Sequence, residues 1–207
     1  VTEPGPAAGA KGSVETVEPT AAQQAHARRV AEAKATVPHA YVEAEATLAS
    51  PERGTTGAIV QAAGAALREF PLVNGAYRDA RFELHSRVNV AVATEAEDTV
   101  AYPVVQDADS KDAAAIDAEL TGLAERARDG SITSPQLAGA TFTITDLSST
   151  GIARGTGAVV RGQAAHLTVA APSAEARSLS LACDARILQG PEAAGFLARL
   201  KALLETG

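Results

Sequence analysis

Apolar and polar positions change their period several times along the chain, and each change marks an expected element. Between Thr20 and Pro38 the run of Ala, Gln, Arg, Glu and Lys consists of strong helix formers, which predicts a helix over about 21–35 that stops short of the proline. Ala40 to Ala46 alternates side chain by side chain, the period of a strand. From Gly54 to Glu69 the residues Ile59, Ala62, Ala63, Ala66 and Leu67 fall on one helical face, and Phe70-Pro71 ends that element. Two strands are expected next, over 87–94 and 99–109, joined across a Glu-Asp turn.

Ser110 to Asp129 carries the clearest helical pattern, with Ser110 as the expected cap, Ile116, Leu120, Leu123, Ala124 and Ala127 as the buried stripe, and Gly130 as the stop. A loop and a strand follow through Leu147, then strands at 157–160, 166–170 and 176–182, the last two pairing across Pro172-Ser173. Gly190 to Glu205 closes the chain as an amphipathic helix. Residues 1–19, rich in Pro, Gly and Ala without any period, are expected to be a flexible tail, leaving one domain over 20–207.

Composition narrows the functional classes. With 207 residues and 46% hydrophobic side chains the chain suits a single sizeable core, built from Val, Leu, Ile and Ala because aromatics make up only 3% and Trp and Met are absent. Such a chain offers no stacking platform for bases, and a net charge of -7 argues against a phosphate-backbone partner, so nucleic acid is excluded. The single cysteine, Cys183, rules out an intrachain disulfide and leads to a cytoplasmic expectation. No run of 18 apolar residues is present to make a spanning helix, and no membrane partner is expected. No cluster of His and Cys suggests a metal.

Candidate chemistry concentrates where the last apolar alternation runs into polar residues ahead of the final helix: Leu-Ser-Leu-Ala-Cys-Asp-Ala-Arg-Ile-Leu-Gln-Gly, residues 179–190. This stretch resembles the S-x-D-H-R-x-x-D-G segment of the catalytic domain of the 2-oxoacid dehydrogenase dihydrolipoyl acyltransferases, relatives of chloramphenicol acetyltransferase. Asp184, Arg186 and Gly190 fit that pattern, whereas Ala185 stands at the position of the family's catalytic histidine and Gln189 at that of its second aspartate. Residues 70–75 resemble the family's F-P-x-x-N-A. Residues 87–94 and 99–109 resemble N-I-G-V-A-V-x-T and G-L-x-x-P-V-V-x-x-A-D, and residues 137–147 match L-x-G-G-T-F-T-I-S-N-L almost throughout. The resemblance spans 20–207 in order, with a shortened hairpin near Pro172 and no lipoyl or subunit-binding domain expected.

The resemblance implies an α/β fold, a chloramphenicol acetyltransferase-like two-layer sandwich with a mixed sheet and packed helices, assembled as trimers with the substrate channel between subunits. It implies acyl transfer to or from coenzyme A or dihydrolipoamide, with coenzyme A as a candidate co-substrate and no covalently bound cofactor. Thr145 stands where the family's hydroxyl donor to the oxyanion belongs. Ala185 has no lone pair, and loss of a positioned general base typically costs ~10²–10⁴-fold. Aligning back from Pro38-His39 without gaps also puts Gln23 at the arginine that pairs with the second aspartate, so both halves of that pair are glutamine. The expected function is therefore a degenerate, pseudoenzyme-like structural or regulatory subunit, as a homotrimer or as a hetero-oligomer with an active paralogue. Two alternatives stand beside it: an active CoA-dependent acyltransferase using Thr145 as oxyanion donor, and a non-catalytic binder of an acyl or CoA-type ligand.

Other chemistry-bearing residues receive plainer readings. His166 lies in an apolar strand run and reads as a hydrogen-bonded structural histidine; His39, after a proline at a strand start, reads as structural; His26 and His85 read as surface residues. Cys183 reads as a small core residue, since a nucleophilic thiol needs a neighbour that lowers its pKa. The glycines at 151, 155 and 157 read as a flexible turn rather than a phosphate loop, because the Lys-Ser/Thr of a P-loop is missing. Asp107, Asp109 and Asp112 read as a polar loop and helix start rather than a calcium site.

Overall fold

A computed structural model describes residues 15–206; the first fourteen residues of the expected tail lie outside the described residues. In chain order the elements are α1 (Ala21–Thr36), β1 (His39–Thr47), α2 (Thr56–Glu69), β2 (Gly75–Arg78), β3 (Arg81–Leu84), β4 (Val90–Val92), β5 (Thr94–Glu95), β6 (Val100–Ala101), β7 (Val104–Val105), α3 (Ala113–Arg128), β8 (Phe142–Asp146), β9 (Ala165–Ala170), β10 (Ala176–Asp184) and α4 (Gly190–Glu205). Six strands form one mixed sheet in the order β1-β10-β9-β8-β4-β7. β8 runs parallel to both β9 and β4, and the remaining neighbours are antiparallel.

The period-2 alternation of the central strands gives this sheet two unlike faces. Phe142 and Ile144 of β8, Leu167 and Val169 of β9, and Leu179, Leu181 and Cys183 of β10 join the main apolar core. That core is completed by α2 and α4, where Phe196 stands edge-on to Phe142 with ring centroids 5.7 Å apart. Full burial of side chains such as Phe196 and Leu200 stabilises the fold by roughly 1.5–3 kcal/mol each. The opposite face presents Thr143, Thr145, His166, Thr168, Ser178 and Ser180, all but Thr145 buried. A strap between β8 and β9 crosses this polar face, and its glycines let it lie close: a side chain at Gly155 would come within 2.8 Å of Leu147.

Several elements differ from their sequence expectation for identifiable reasons. The pair expected over 87–94 and 99–109 is broken into two short ladders, β4 with β7 and β5 with β6. Pro103 has no N–H to carry the ladder through, and its carbonyl accepts from Val92 N at 3.0 Å instead. The third helix is capped by Asp112, whose side chain accepts from Ala115 N at 2.8 Å, while Ser110 belongs to the preceding 3-10 turn. Residues 157–160 join no ladder. The hairpin of β2 and β3 was not expected: its two central residues, Asp79 and Ala80, take positive φ of 49° and 58° without the glycine that usually announces such a turn.

Candidate active site on the polar face of the sheet

Thr145 and His166 meet because β8 and β9 are parallel neighbours in one register, Thr143 opposite His166 and Thr145 opposite Thr168. Both side chains stand on the polar face, and Thr145 Oγ1 lies 2.9 Å from His166 Nε2. The other ring nitrogen, Nδ1, is 2.6 Å from the carbonyl oxygen of Ala158. A carbonyl can only accept, so Nδ1 carries a hydrogen and the neutral ring offers its lone pair at Nε2. The Thr145 hydroxyl is therefore the donor to His166. Burial lowers the pKa of the imidazole, opposed by the bond to Ala158 and assisted by the nearby His39, so the ring is neutral at pH 7 and Nε2 accepts from Thr145.

The imidazole is held on every side. Gly157 passes so close beneath it that an added Cβ would come within 2.7 Å of its Cε1 and 2.9 Å of both nitrogens. The strap carrying Gly157 and Ala158 is fixed in turn by His39, whose Nε2 accepts the backbone N–H of Val159 at 2.9 Å while its Nδ1 donates to Val37 O at 2.7 Å. Both nitrogens of His39 are thus spent on backbone, as its structural reading requires.

Thr145 and His166 open onto a cavity of about 810 Å³. Thr143 and Gln163 extend its polar floor, the threonine hydroxyl donating to Gln163 Oε1 at 2.8 Å. Helix α1 and the turn between β5 and β6 overhang the cavity. Of the side chains of α1 Ala33 is buried, and the helix is tied down by polar links: Glu32 pairs with Arg161 of the strap, and Gln23 Nε2 donates to the carbonyl of Asp98 at 2.9 Å. His26 is half-buried on this wall rather than free at the surface. Tyr102 also lines the cavity, and burial raises its phenol pKa against the opposing charge of Arg29.

The 184–190 motif lies elsewhere on the chain. Asp184, 1% exposed, accepts from Arg186 N at 3.0 Å, Nε at 2.9 Å and a terminal guanidinium nitrogen at 2.6 Å. The guanidinium sits 4.6 Å from the centroid of the Tyr77 ring, and the Asp184 carboxylate raises its pKa. Ala185 is exposed, its N–H donating to Pro38 O at 2.9 Å. Gln189 is the exposed N-cap position of α4 without a side-chain cap, and Gly190 begins that helix. Gln23 sits in the capping box of α1 with Thr20. Neither Ala185 nor Gln189 lines the cavity beside Thr145.

The remaining candidates are engaged structurally. Cys183 is fully buried, and burial pushes its thiol up to about 12, which leaves it inert. Asp107 pairs with Arg87, Asp109 with Arg68, and Asp112 caps α3. Among the described residues no three His, Cys, Asp or Glu side chains are grouped to hold a metal ion, and no helix is long and apolar enough to cross a membrane. The partnership of Thr145 with His166 is the feature that a reading of isolated motifs misses. Its signal lies in alternation, Thr-x-Thr in one strand and His-x-Thr in another, but parallel register cannot be read from either run alone.

A mixed sheet in this order, with helices packed on its apolar face, defines the chloramphenicol acetyltransferase-like fold. The chain superposes on a chloramphenicol acetyltransferase with a TM-score of 0.55 at 10% identity, covering 86% of this chain and 94% of that one. The family model of the 2-oxoacid dehydrogenases acyltransferase catalytic domain matches residues 11–207, and the chain belongs to that family. It is 31% identical over 160 residues to the lipoamide acyltransferase component of the branched-chain alpha-keto acid dehydrogenase complex of Bacillus subtilis, covering 71% of this chain and 38% of that protein. It is 33% identical over 158 residues to the dihydrolipoyllysine-residue succinyltransferase component of the 2-oxoglutarate dehydrogenase complex of Staphylococcus saprophyticus, covering 70% and 37%. The chain thus spans well under half the length of these two relatives. A probable dihydrolipoamide acetyltransferase from Listeria monocytogenes superposes with a TM-score of 0.86 at 26% identity, covering 93% of this chain and 94% of that one.

Proposed function

We propose that this domain is a working acyltransferase that uses a thioester of the coenzyme A or dihydrolipoamide type, with His166 supplying the proton acceptor that Ala185 cannot. The observation that carries this reading is the 2.9 Å contact between Thr145 Oγ1 and His166 Nε2 at the floor of an 810 Å³ cavity. A neutral imidazole with its Nδ1–H anchored on a carbonyl presents a fixed lone pair, which is what general-base catalysis needs. The relatives' names speak of lipoamide and dihydrolipoyllysine as their acyl carriers, which supports a thioester donor.

Assembly of at least two copies around the cavity, a homotrimer or a hetero-oligomer with an active paralogue, belongs to the same proposal. Its support is the apolar rim: Val30, Val100 and Leu137 line the cavity yet are 40%, 37% and 42% exposed in the single chain. A neighbouring subunit laid over them would close the cavity from water.

The test is release of free coenzyme A from acetyl-CoA in the presence of dihydrolipoamide. His166→Gln is expected to lower turnover by ~10²–10⁴-fold. The second reading, a structural subunit without catalysis, is supported by Ala185 and by glutamine at both 23 and 189. Absent turnover selects it, whereas turnover indifferent to His166→Gln overturns the assignment of His166 as the proton acceptor.

A further inference from the structure

We propose that Gln163 is a catalytic residue of this site: its side-chain amide donates a hydrogen bond to the thioester carbonyl and holds the negative charge that develops on that oxygen during transfer. The inference rests on the reading that the domain transfers acyl groups, and it supplies a fixed donor which that reading leaves unassigned. Thr145 has one hydroxyl proton, and in the resting site that proton is directed at His166 Nε2.

Gln163 is 5% exposed and lines the cavity. Its Oε1 accepts from the hydroxyl of Thr143, a residue that is itself 1% exposed, at 2.8 Å. That bond uses the acceptor end of the amide. The donor end, Nε2, has no hydrogen-bond partner among the described residues, yet it is not one of the side-chain atoms sealed from solvent. An amide N–H that is neither paired nor enclosed opens onto the cavity that its residue lines. Buried polar groups are ordinarily paired, so a donor left free at the floor of a cavity is a place for a ligand's acceptor.

The backbone fixes where this donor stands. Gln163 N donates to Val160 O at 3.0 Å in a turn through Gly162, whose φ is 86°, and the chain enters β9 at Ala165. Thr143 lies opposite His166 in the parallel register, with Thr145 two residues further along the same face of β8. Two residues of strand span roughly 7 Å. The base and the amide thus stand at the two ends of a gap of that order, which is room for one thioester carbonyl and the sulfur approaching it at about 3–3.5 Å. A preorganised dipole aimed where charge develops is the arrangement that lowers such a barrier.

The steps balance without a bond to the chain. The acceptor's thiol displaces the Thr145 hydroxyl from His166 Nε2 and gives that nitrogen its proton as its sulfur attacks the carbonyl carbon. Negative charge gathers on the carbonyl oxygen, against the Gln163 N–H. Collapse breaks the carbon–sulfur bond to the donor, and the departing thiolate takes the proton from the imidazolium. The acyl group passes directly from one thiol to the other.

The experiment compares Gln163→Leu and Gln163→Glu with the wild type in release of coenzyme A from acetyl-CoA to dihydrolipoamide between pH 5 and 9, with a melting curve for each chain. Gln163→Leu is expected to lower kcat by ~10²–10³-fold relative to wild type at every pH, with KM little changed. Gln163→Glu, which still accepts from Thr143, should approach the wild type at low pH, where its carboxyl has a proton to donate, and converge on Gln163→Leu as that proton is lost. Every other ionisable group of the cavity is common to the two variants, so the difference belongs to the introduced carboxyl. In parallel, infrared difference spectra of acetyl-CoA carrying carbon-13 at the thioester carbonyl should show its stretch lowered on the wild type and unshifted on Gln163→Leu. If Gln163→Leu does not fold, Gln163→Glu against the wild type carries the comparison. Undiminished kcat in Gln163→Leu overturns the assignment and leaves the acyltransferase reading intact. So does a rise in KM with kcat unchanged, which marks uniform binding, or a pH profile of Gln163→Glu parallel to that of Gln163→Leu, which marks a packing role. No coenzyme A release from the wild type overturns the acyltransferase reading. The infrared shift then decides Gln163 by itself: a shift lost in Gln163→Leu upholds the donor, and no shift on the wild type overturns it.

Discussion

His39 accepts the backbone N–H of Val159 at 2.9 Å, joining two residues 120 positions apart in the chain. Val159 is fully buried, so its N–H has no water to turn to if the imidazole is removed. His39→Ala should therefore destabilise the fold by about 1–3 kcal/mol, the cost of a buried donor left unsatisfied. Urea denaturation at pH 7 measures it. Because the same strap carries Ala158, the variant should also lose turnover at temperatures where it remains folded.

Gly157 gives a cleaner separation of geometry from stability. A methyl group there would stand 2.7 Å from His166 Cε1, and the ring cannot retreat while both its nitrogens are bonded. Gly157→Ala is expected to displace the imidazole from Thr145 and cost about 10²-fold in kcat, the scale of an ångström-sized misplacement. Steady-state kinetics with a melting curve checks that activity falls much further than stability.

The buried imidazole also sets a pH dependence. Its folded pKa lies below the ordinary histidine value of about 6.5, so in the window between the two the unfolded chain binds a proton that the native chain refuses. Native stability contributed by His166 is fully present above about 6.5, declines as the pH falls through that value, and levels off below the folded pKa. His166→Gln should remove this slope in denaturation midpoints measured between pH 7 and 5. In the wild type, the acid limb of kcat/KM should lie below pH 6.5 for the same reason.

Arg186 and Ala185 are neighbours with opposite sensitivity. Arg186→Ala leaves the 1%-exposed Asp184 carboxylate with the Arg186 backbone N–H as its remaining donor. The penalty should be about 2 kcal/mol, less than the ~3–5 of a fully buried pair because the arginine side chain is itself 34% exposed. Ala185→His, at an exposed position, should change stability by no more than about 0.5 kcal/mol. Thermal denaturation of the two variants side by side gives the contrast.

Cys183 offers a control on the integrity of the core. Its thiol, fully buried and pushed up to about 12, should not react with Ellman's reagent at pH 8 in the folded protein. One equivalent should react after unfolding in guanidinium.

The fold was legible in the sequence wherever burial imposed a long period. α4 and the strand β10 fall within a few residues of their expected places because Leu179, Leu181, Phe196 and Leu200 repeat at spacings that one conformation alone can bury, whereas α1, with Ala33 buried, was legible through its helix formers. The hairpin of β2 and β3 was hidden because Asp79-Ala80 adopts a turn that composition does not announce, and the long strand expected over 99–109 gave way to a proline's missing hydrogen. At the site, Thr145 was singled out through its motif, and the structure places it at the cavity beside His166. His166 was seen as a hydrogen-bonded strand histidine, which it is, but its partner depended on which strand lies beside which and in what direction. A local pattern carries no such information.

The adjacency of β8 and β9 has a consequence for mixed assemblies. Hydroxyl and imidazole are drawn from one polypeptide, on strands zipped together by the same backbone ladder. On the proposed function each copy brings its own acid–base couple, and co-assembling wild-type chains with His166→Gln chains should reduce activity in simple proportion to the fraction of wild type. A couple split between two polypeptides would instead produce hybrid centres whose numbers follow the square of the mixing ratio.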